Sequence, residues 1–473
     1  MSKLRGMRGI LASSIGVTCA AALALPLAPP AAAAAARPAP TAEAATRAAV
    51  TAEPRVPGST QSLPLRRLAR ERTSGAVLGL APRAVRNFSL LGVVWDDPAA
   101  GLHGRVQVRT RSVATGAWSG WQDVETHNAD HAADPGTAED APDRVHGATA
   151  PLWVGPSDAV EVRVRPESPQ EDGPAGARTE TAGDAPLPSG MRLELVDPGT
   201  AAPPPGGAAD GSRTGATGAE ATAASAANEG LAPLGATEIP ALTREQTRQE
   251  LLAPRGTGTA GQSGAAGQRA KPYVGPRPAI VTRRGWGADE SLRERRFVYT
   301  GKVKAAFVHH TATGNNYTCA QAPSVIRGIY RYHVGSMGWR DIGYNFLVDK
   351  CGRIYEGRAG GVAKPVLGAH TLGFNSNSMG VAVIGSHGSK KPSSSAVKGI
   401  ARLTAWKLGL HGMNPKGKTY LKSAGGNLYR KGKKVRLNVI SGHRDGFNTA
   451  CPGGKLYEKL GSARSTAARY QGR

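Results

Sequence analysis

Two histidines and one cysteine in the last third of the chain have the types and the setting of metal ligands. His309 ends an apolar run over 305–308 that predicts a buried strand. His443 and Cys451 lie together in the segment 442–453. Two imidazoles and one thiolate suit zinc, and three protein ligands leave the fourth tetrahedral position open for water. These residues therefore predict a hydrolytic metal site rather than a structural one.

The N-terminus has the features of a secretory signal peptide. Basic residues precede an apolar run over 10–27, and an alanine tract follows. A positive region, a short apolar core and small residues at the cleavage site predict a signal peptide over residues 1–36. The alternative is that this run stays uncleaved as a membrane anchor. No other segment approaches the roughly 20 apolar residues of a membrane span. We expect a secreted, extracellular protein with no membrane span once the signal is removed.

The cysteine count agrees with a metal-bound Cys451. Of the four cysteines, Cys19 lies in the N-terminal apolar run, and we expect its removal with the signal. In an oxidising compartment two of the other three should pair. If Cys451 is a zinc thiolate, Cys319 and Cys351 form the disulfide and no thiol is left over.

The charge of the chain indicates an anionic partner. Among 473 residues, 60 are Lys or Arg and 35 are Asp or Glu, which gives a net charge of +25. Such an excess is typical of proteins that bind nucleic acid, an acidic membrane surface or an acidic polymer such as a cell wall. Export argues against nucleic acid, so we expect no nucleic-acid partner.

Composition and periodicity divide the mature chain into four parts. Residues 37–85 are rich in Ala, Pro, Thr and Arg, and we interpret them as a flexible lead-in. Residues 86–198 contain short runs of period two that predict an all-β accessory module. Residues 199–276 are dominated by Ala, Gly, Thr, Pro and Ser and predict a disordered linker. Residues 278–470 mix strand-like and helical runs, which indicates an α/β domain.

Three tryptophans of the β module leave two interpretations open. Trp118, Trp121 and Trp153 could form a platform that binds sugar rings. The alternative is that they pack at the rim of the module's core. The sequence does not say what this module does.

Seven motifs occur in one order within the α/β domain. They are RGWGA at 284–288, VHHT at 308–311, GWRDIGYNF at 338–346, IYEGR at 354–358, GAH at 368–370, NSNSMG at 375–380 and GHRD at 442–445. Together they closely resemble the peptidoglycan recognition proteins and their amidase-2 relatives, the N-acetylmuramoyl-L-alanine amidases, here of a secreted bacterial type. The resemblance covers roughly residues 278–460.

The resemblance implies a fold, a metal and a substrate. The fold is a central mixed β-sheet flanked by helices, and the metal is Zn²⁺ held by His309, His443 and Cys451. The substrate is bacterial peptidoglycan, and the bond joins the lactyl group of N-acetylmuramic acid to L-alanine. Zinc held there would lower the pKa of a bound water toward about 7.

The resemblance also assigns roles around the metal. Tyr344 matches the family's catalytic tyrosine, whose phenol can orient the water or donate to the developing oxyanion. Thr449 matches a second catalytic position, and we expect it to give a supporting hydrogen bond rather than to transfer a proton. His370, Arg358 and Asn375 lie in motifs that imply substrate binding. For His370 the alternative is a hydrogen-bonded structural histidine.

The segment 416–436 contains eight basic residues and no acidic one. It has the pattern of a basic hairpin inserted before the strand that carries His443. One hypothesis is that it binds anionic wall polymers such as teichoic acids, and the alternative is a solvated lysine-rich loop.

The leading interpretation is a monomeric, cell-wall-associated, zinc-dependent amidase. Two alternatives come from other classes: a peptidoglycan sensor that binds without cutting, and a wall-anchoring protein in which zinc only stabilises the fold. The ligand set with Tyr344 favours the enzyme, since a structural zinc is normally closed by four protein ligands. The preferred stem peptide stays open, because residues 359–365 match neither of the dipeptides that sort the animal relatives.

Overall fold

A computed structural model of the chain describes residues 58–68, 77–126, 128–137, 139–140, 143–167, 186–199, 216–253 and 273–473. The predicted signal peptide lies outside these residues. The described residues all belong to one contact unit, Arg55–Arg473, which contains an all-β module and an α/β domain. Within them, no helix has both the length and the apolar character that crossing a membrane requires.

The N-terminal module is an antiparallel sheet of eight strands. Its long strands bury alternating Val and Leu side chains, as the period-two runs predict. Six strands are neighbours in the order Ser59–Pro64, Arg192–Asp197, Leu78–Trp95, Leu152–Pro166, Gly104–Ser112 and Gln122–Val124. Two short strands, Arg66–Arg67 and Gly147–Ala148, also pair with Leu78–Trp95. The prediction of an all-β module is confirmed.

The lead-in predicted as flexible over 37–85 contains strands of this sheet. Ser59–Pro64 pairs with the last strand of the module, and Leu78–Trp95 begins well before residue 86. Register shifts interrupt the pairing of that long strand between Leu80 and Leu90. Such irregularities break the strict alternation from which strands are predicted, so this part of the sequence shows no clear period.

The segment predicted as a disordered linker over 199–276 also contains ordered elements. Along the chain, these are the helix Ala216–Ala226, the strand Glu238–Ile239 and the helix Arg244–Leu252. The strand pairs with the sheet of the α/β domain. Ile239 is fully buried there. The high Ala and Gly content of the whole segment conceals the few apolar residues that dock these elements. Residues 200–215 and 254–272 lie outside the described residues.

The α/β domain is built on a seven-stranded mixed sheet, as the resemblance implies. In spatial order its strands are Ile440–Gly442, Ala305–His310, Ser378–Val383, Phe346–Val348, Ile354–Glu356, Ile280–Val281 and Glu238–Ile239. Ala305–His310 is parallel to both of its neighbours. All six residues of this strand are buried, which explains the continuous apolar run in the sequence.

Helices flank this sheet. Beyond the two in the linker they are Arg283–Trp286, Ala322–Arg331, Ser394–Leu410, Gly454–Tyr457 and Leu460–Gln471, with a π turn over Tyr332–Ser336 and 3₁₀ turns over Cys319–Gln321 and His443–Asp445. Ser393 caps the longest helix by accepting a hydrogen bond from the Ala396 backbone. Ile400, Leu403 and Trp406 of that helix are buried in the main core beneath the sheet.

Two further features match the sequence predictions. Cys319 and Cys351 form a disulfide, while Cys451 is free and buried. The basic segment forms an antiparallel hairpin from the strands Lys418–Lys422 and Lys434–Asn438.

The β module packs directly on the α/β domain. Leu90, Val94 and Trp153 of the module share one apolar cluster with Ile326 and Ile329 of the helix Ala322–Arg331. The hydroxyl of Tyr332 donates to the backbone oxygen of Thr149 at 3.1 Å. The module is therefore held by a shared core rather than tethered by a linker alone.

Candidate metal centre

Parallel strand pairing brings His309 and His443 to one edge of the sheet. Ala305–His310 pairs with Ile440–Gly442, with Val308 opposite Gly442. His309 is therefore the next residue on one strand, and His443 follows the end of the other. Because parallel strands end at the same edge, their two imidazoles meet there.

Cys451 reaches the same edge from the loop that follows His443. The Arg444 backbone amide donates to the Cys451 carbonyl at 3.1 Å, which folds the loop back on itself. The Cys451 amide in turn donates to the Thr449 hydroxyl at 3.1 Å. Thr449 therefore holds the backbone that carries the thiol.

The distances between these side chains fit a tetrahedral metal ion. The Nδ1 atoms of His309 and His443 lie 3.1 Å apart, and the Cys451 Sγ lies 3.7 Å from the His309 Nδ1. Ligands of ideal tetrahedral zinc would be about 3.3 Å apart for two nitrogens and about 3.6 Å apart for nitrogen and sulfur. The donor set therefore fits zinc in chemistry and in spacing.

Burial sets the protonation of these ligands. Burial, and then the nearby His443 and His131 rings, lowers the pKa of His309 well below its usual value. Burial likewise lowers the pKa of His443 to about 3, against the opposing charge of Asp130. Both imidazoles are thus neutral at pH 7, as metal ligation requires.

Burial, followed by the charge of Asp130, raises the pKa of the Cys451 thiol. A buried thiolate with no cation beside it is unfavourable, whereas zinc compensates its charge and deprotonates it. The chemistry of this thiol therefore also fits a bound cation.

A fourth potential ligand comes from the β module. The ligand atoms of His131, His309, His443 and Cys451 all lie within 4.8 Å of one another. His131 Nδ1 lies 2.9 Å from Asp130 Oδ1, and its Nε2 lies 3.8 Å from Cys451 Sγ. A carboxylate that accepts from one ring nitrogen and directs the other to the metal is the usual arrangement around ligating histidines.

Tyr344 lies beside the group, buried to 4% exposure. Its ring centroid is 5.5 Å from that of His309 and 5.8 Å from that of His131. Burial, and then the neighbouring Cys451 and Asp130, raises the pKa of the phenol well above its usual value. Tyr344 therefore keeps its proton and can act as a hydrogen-bond donor.

His370 lies beneath the metal ligands rather than on an accessible surface. It is fully buried, its Nδ1 is 3.0 Å from the Thr371 hydroxyl, and its ring packs edge-on against His309 at 5.2 Å. Thr371 in turn lies 3.4 Å from the Nε2 of His309. This position favours the structural interpretation of His370 over contact with substrate.

Arg358 and Asn375 are buried under a loop that the β module contributes. We call the described residues between 125 and 146 the inserted loop, since they lie in the chain between the strands Gln122–Val124 and Gly147–Ala148 and contact the α/β domain. Arg358 pairs with Glu139 of this loop and also donates to the Ile342 carbonyl at 2.9 Å.

Asn375 makes two sets of contacts. Its amide nitrogen donates to the Asp134 carboxylate at 2.9 Å, and its amide oxygen accepts from the His370 backbone at 2.7 Å. The two predicted substrate residues are therefore in contact with carboxylates of the chain itself.

The tryptophans of the β module separate into two environments. Trp153 is buried in the cluster shared with the α/β domain, so it belongs to the core. Trp118 and Trp121 lie nearer the surface, with the Arg109 guanidinium 5.3 Å from each ring centroid.

The sequence prediction missed the inserted loop as part of the site. The sequence places Asp130 beside His131, and ligating histidines commonly donate to a carboxylate, but this adjacency alone does not predict a metal site. What the sequence could not show is that this loop reaches another domain.

Comparisons with known proteins agree with the division of the chain. A family model described as N-acetylmuramoyl-L-alanine amidase matches residues 299–454. A second model, described as Rv3811 N-terminal galactose-binding domain-like, matches residues 40–186. The second match begins within the lead-in, in agreement with the strands found there.

Individual relatives match the α/β part. Peptidoglycan-recognition protein 1 of Holotrichia diomphalia is 32% identical over 184 residues, which are 39% of this chain and 79% of that protein. Human N-acetylmuramoyl-L-alanine amidase is 32% identical over 187 residues, 39% of this chain but only 28% of that protein. The solved structure of Drosophila PGRP-LB is 25% identical, with a TM-score of 0.31 and coverage of 39% of this chain and 92% of that one.

Proposed function

Because the chain belongs to the peptidoglycan recognition protein and amidase-2 family, we propose that it is a secreted, zinc-dependent N-acetylmuramoyl-L-alanine amidase. Its substrate would be bacterial peptidoglycan, cleaved between the lactyl group of N-acetylmuramic acid and L-alanine. The observation that carries the proposal is the approach of His443 Nδ1 and Cys451 Sγ to His309 Nδ1 at one sheet edge, 3.1 and 3.7 Å away. A binding protein needs no such group of neutral imidazoles around a thiol.

The proposed reaction is a hydrolysis. Water adds to the lactyl carbonyl carbon, the bond to the alanine nitrogen breaks, and the products are a carboxylate and a free amine. Zinc in this position supplies a water of lowered pKa and polarises the scissile carbonyl. His309, His443 and Cys451 would hold the ion; strand ends position the two histidines, and the loop contacts with Arg444 and Thr449 position the cysteine.

Tyr344 is the best-placed donor for the charge that develops on the carbonyl oxygen. Its raised pKa keeps the phenol protonated at neutral pH. A donor that is already positioned in a buried site stabilises such charge strongly. Thr449 would act indirectly, since its hydroxyl accepts from the Cys451 amide and so positions the thiol.

The basic hairpin supports a second, weaker contact with the wall. One face, with Leu421, Val435 and Leu437, packs against Phe307 and Phe374. Its lysines are exposed on the other side. We propose that these charges attract anionic wall polymers, which would keep the enzyme near its substrate.

The test is mass spectrometry of the soluble products after prolonged digestion of purified peptidoglycan by the full chain. We expect stem peptides with an L-alanine N-terminus, lost on chelation, restored by zinc and absent with Cys451→Ser. Peptidoglycan that sediments with the protein but releases no stem peptide, even from variants that free the inserted loop, would contradict the amidase and support a sensor.

A further inference from the structure

We propose that the inserted loop keeps this site latent, with His131 as a fourth metal ligand and the loop's carboxylates in place of substrate. The inference rests on the proposed function, because it concerns the regulation of the same site. The proposal gives a role to His131, Asp134 and Glu139, which lie outside all seven family motifs of this chain. The activating event is a movement of the loop away from the metal.

His131 would complete a shell of four protein ligands around a bound ion. Its Nε2 lies 3.8 Å from Cys451 Sγ, close to the about 3.6 Å edge of a zinc tetrahedron with nitrogen and sulfur ligands. Its ring centroid is 4.6 Å from that of His443 and 5.2 Å from that of His309. Four protein ligands are the arrangement of structural zinc, whereas catalysis needs one position open to water.

Asp130 fixes the orientation of His131. Its Oδ1 lies 2.9 Å from Nδ1 of the imidazole, which leaves the Nε2 lone pair facing the metal site. The Asp130 carbonyl also accepts from the Leu372 backbone at 3.0 Å, so the same residue attaches the loop to the α/β domain. Both residues are buried.

Asp134 accepts hydrogen bonds from Gly373 and from Asn375, the first residue of the NSNSMG motif. One carboxylate oxygen accepts from the Gly373 amide at 2.7 Å and from the Asn375 side chain at 2.9 Å. The other oxygen accepts from the backbone N–H of Asn375 at 3.2 Å. This cradle of backbone and amide donors suits a carboxylate, and here the loop supplies it.

Glu139 pairs with Arg358 in the same way. Both side chains are buried, with 6% and 4% exposure. Peptidoglycan stem peptides carry free carboxylates, and a buried guanidinium is a favourable partner for one. With Glu139 in place, the guanidinium is not available to substrate.

The space left beside the metal ligands is too small for a muropeptide. A cavity of about 20 Å³ lies between His131, Tyr344 and Cys451. That volume holds about one water molecule. Pockets for small molecules are typically several hundred Å³, so substrate requires the loop to move.

The construction of the interface restricts which part moves. The β module is anchored by the apolar cluster around Trp153 and Ile329, which is costly to expose to water. The inserted loop has Ala133 and Val145 packed against that cluster, but its Asp134 and Glu139 contacts are hydrogen bonds and an ion pair that substrate carboxylates can replace. We therefore expect the loop to open locally while the module stays docked.

The experiment compares the full chain with His131→Ala, Glu139→Gln and the control His103→Ala, which changes an exposed histidine of the same module. Each protein is loaded with Co²⁺, and its visible spectrum is recorded with increasing azide, an anion that binds metals with an open position. The same proteins, loaded with zinc, are assayed for initial rates of stem-peptide release. Glu139→Gln is included because it frees the loop without changing a metal ligand.

We expect azide to change the spectrum of His131→Ala at concentrations that leave the wild type and His103→Ala unchanged. Release should rise by at least about tenfold in both loop variants, because the open state becomes more populated. An azide response of the wild type equal to that of His131→Ala would overturn the proposal. So would loss of metal by His131→Ala together with an unchanged rate for Glu139→Gln.

The two proposals fail in different ways. Spectra that differ as expected, with no stem peptide released by any protein, would support the fourth ligand and contradict the amidase. Release at equal rates by all four proteins, with equal azide responses, would support the amidase and overturn the latent state.

Discussion

The floor and the roof of the metal centre are constructed differently. The floor is formed by His309 and His443, at the ends of parallel strands that are paired in the sheet, and by Cys451, on the loop that folds back onto Arg444. The roof is the inserted loop, which contacts the floor through His131 and contacts Arg358 and Asn375 through carboxylates. Strand pairing fixes the two histidines of the floor, whereas the carboxylate contacts of the roof with Arg358 and Asn375 are ones that another ligand can replace. A rigid reactive edge under an exchangeable cover is a construction suited to regulation.

The largest effect is expected from removing a metal ligand of the floor. Cys451→Ser replaces a thiolate ligand by a hydroxyl that does not ionise near neutral pH, so zinc is bound weakly. We expect stem-peptide release to fall by more than about 1000-fold, because no water of lowered pKa is then available. Product mass spectrometry together with zinc content checks this.

His103→Ala is the control for that variant, since it alters an exposed histidine outside the site. It should keep the wild-type rate and zinc content. A Cys451→Ser protein that turns over at more than a tenth of the wild-type rate would show that the floor is not the reactive centre.

The next effect concerns Tyr344, which lies between floor and roof. Tyr344→Phe removes one hydroxyl and keeps the ring that packs against His309 and His131. Loss of one oxyanion donor costs about 100- to 1000-fold in turnover. We expect that loss in kcat with unchanged zinc content. Tyr420→Phe, at an exposed tyrosine of the hairpin, is the matched control.

A smaller effect, of opposite sign, is expected from the roof. Asp134→Asn replaces an acceptor by an NH₂ group that faces the Asn375 amide, so the loop is held less firmly. We expect release to rise by about tenfold at most, as the open population grows. Asp143→Asn makes the same change at an exposed residue of the same loop and should leave the rate unaltered. A fall in the rate of Asp134→Asn would mean that the loop assists turnover instead of blocking it.

The smallest effect lies outside both regions, in the hairpin. The variant changes three exposed lysines to Gln: Lys431, Lys433 and Lys434. We expect co-sedimentation with walls that contain teichoic acid to weaken by about threefold at low salt, with little difference at high salt, where charges are screened. Turnover of soluble muropeptides should not change.

The control for the hairpin removes three exposed arginines of the β module, Arg66, Arg67 and Arg83, by mutation to Gln. Equal weakening by both triple variants would indicate that net charge, rather than the hairpin, governs wall binding.

The same comparison shows what the sequence could and could not reveal. The floor was predictable because His309 ends a buried apolar run and His443 and Cys451 share one short segment. Local pattern and motif order contain that information. The mixed sheet and the all-β module were predictable for the same reason.

The roof was not predictable, because its position depends on how two modules dock. Nothing near His131 in the sequence encodes the distant strand that it approaches. The edge strand Ser59–Pro64 and the linker strand Glu238–Ile239 were missed on similar grounds. Each is too short to show a period, and each is stabilised by a partner far away in the chain.

The most direct test of this account is a crystal structure of the zinc-loaded full chain, with the metal located by anomalous diffraction at the zinc edge. We predict one ion bound to His309, His443 and Cys451, with His131 Nε2 as the fourth ligand at about 2.0–2.1 Å. An ion with a water molecule in that position, and the inserted loop displaced from Arg358 and Asn375, would contradict the latent state. If no zinc ion is bound to His309, His443 and Cys451 at saturating zinc, the proposed metal centre is contradicted.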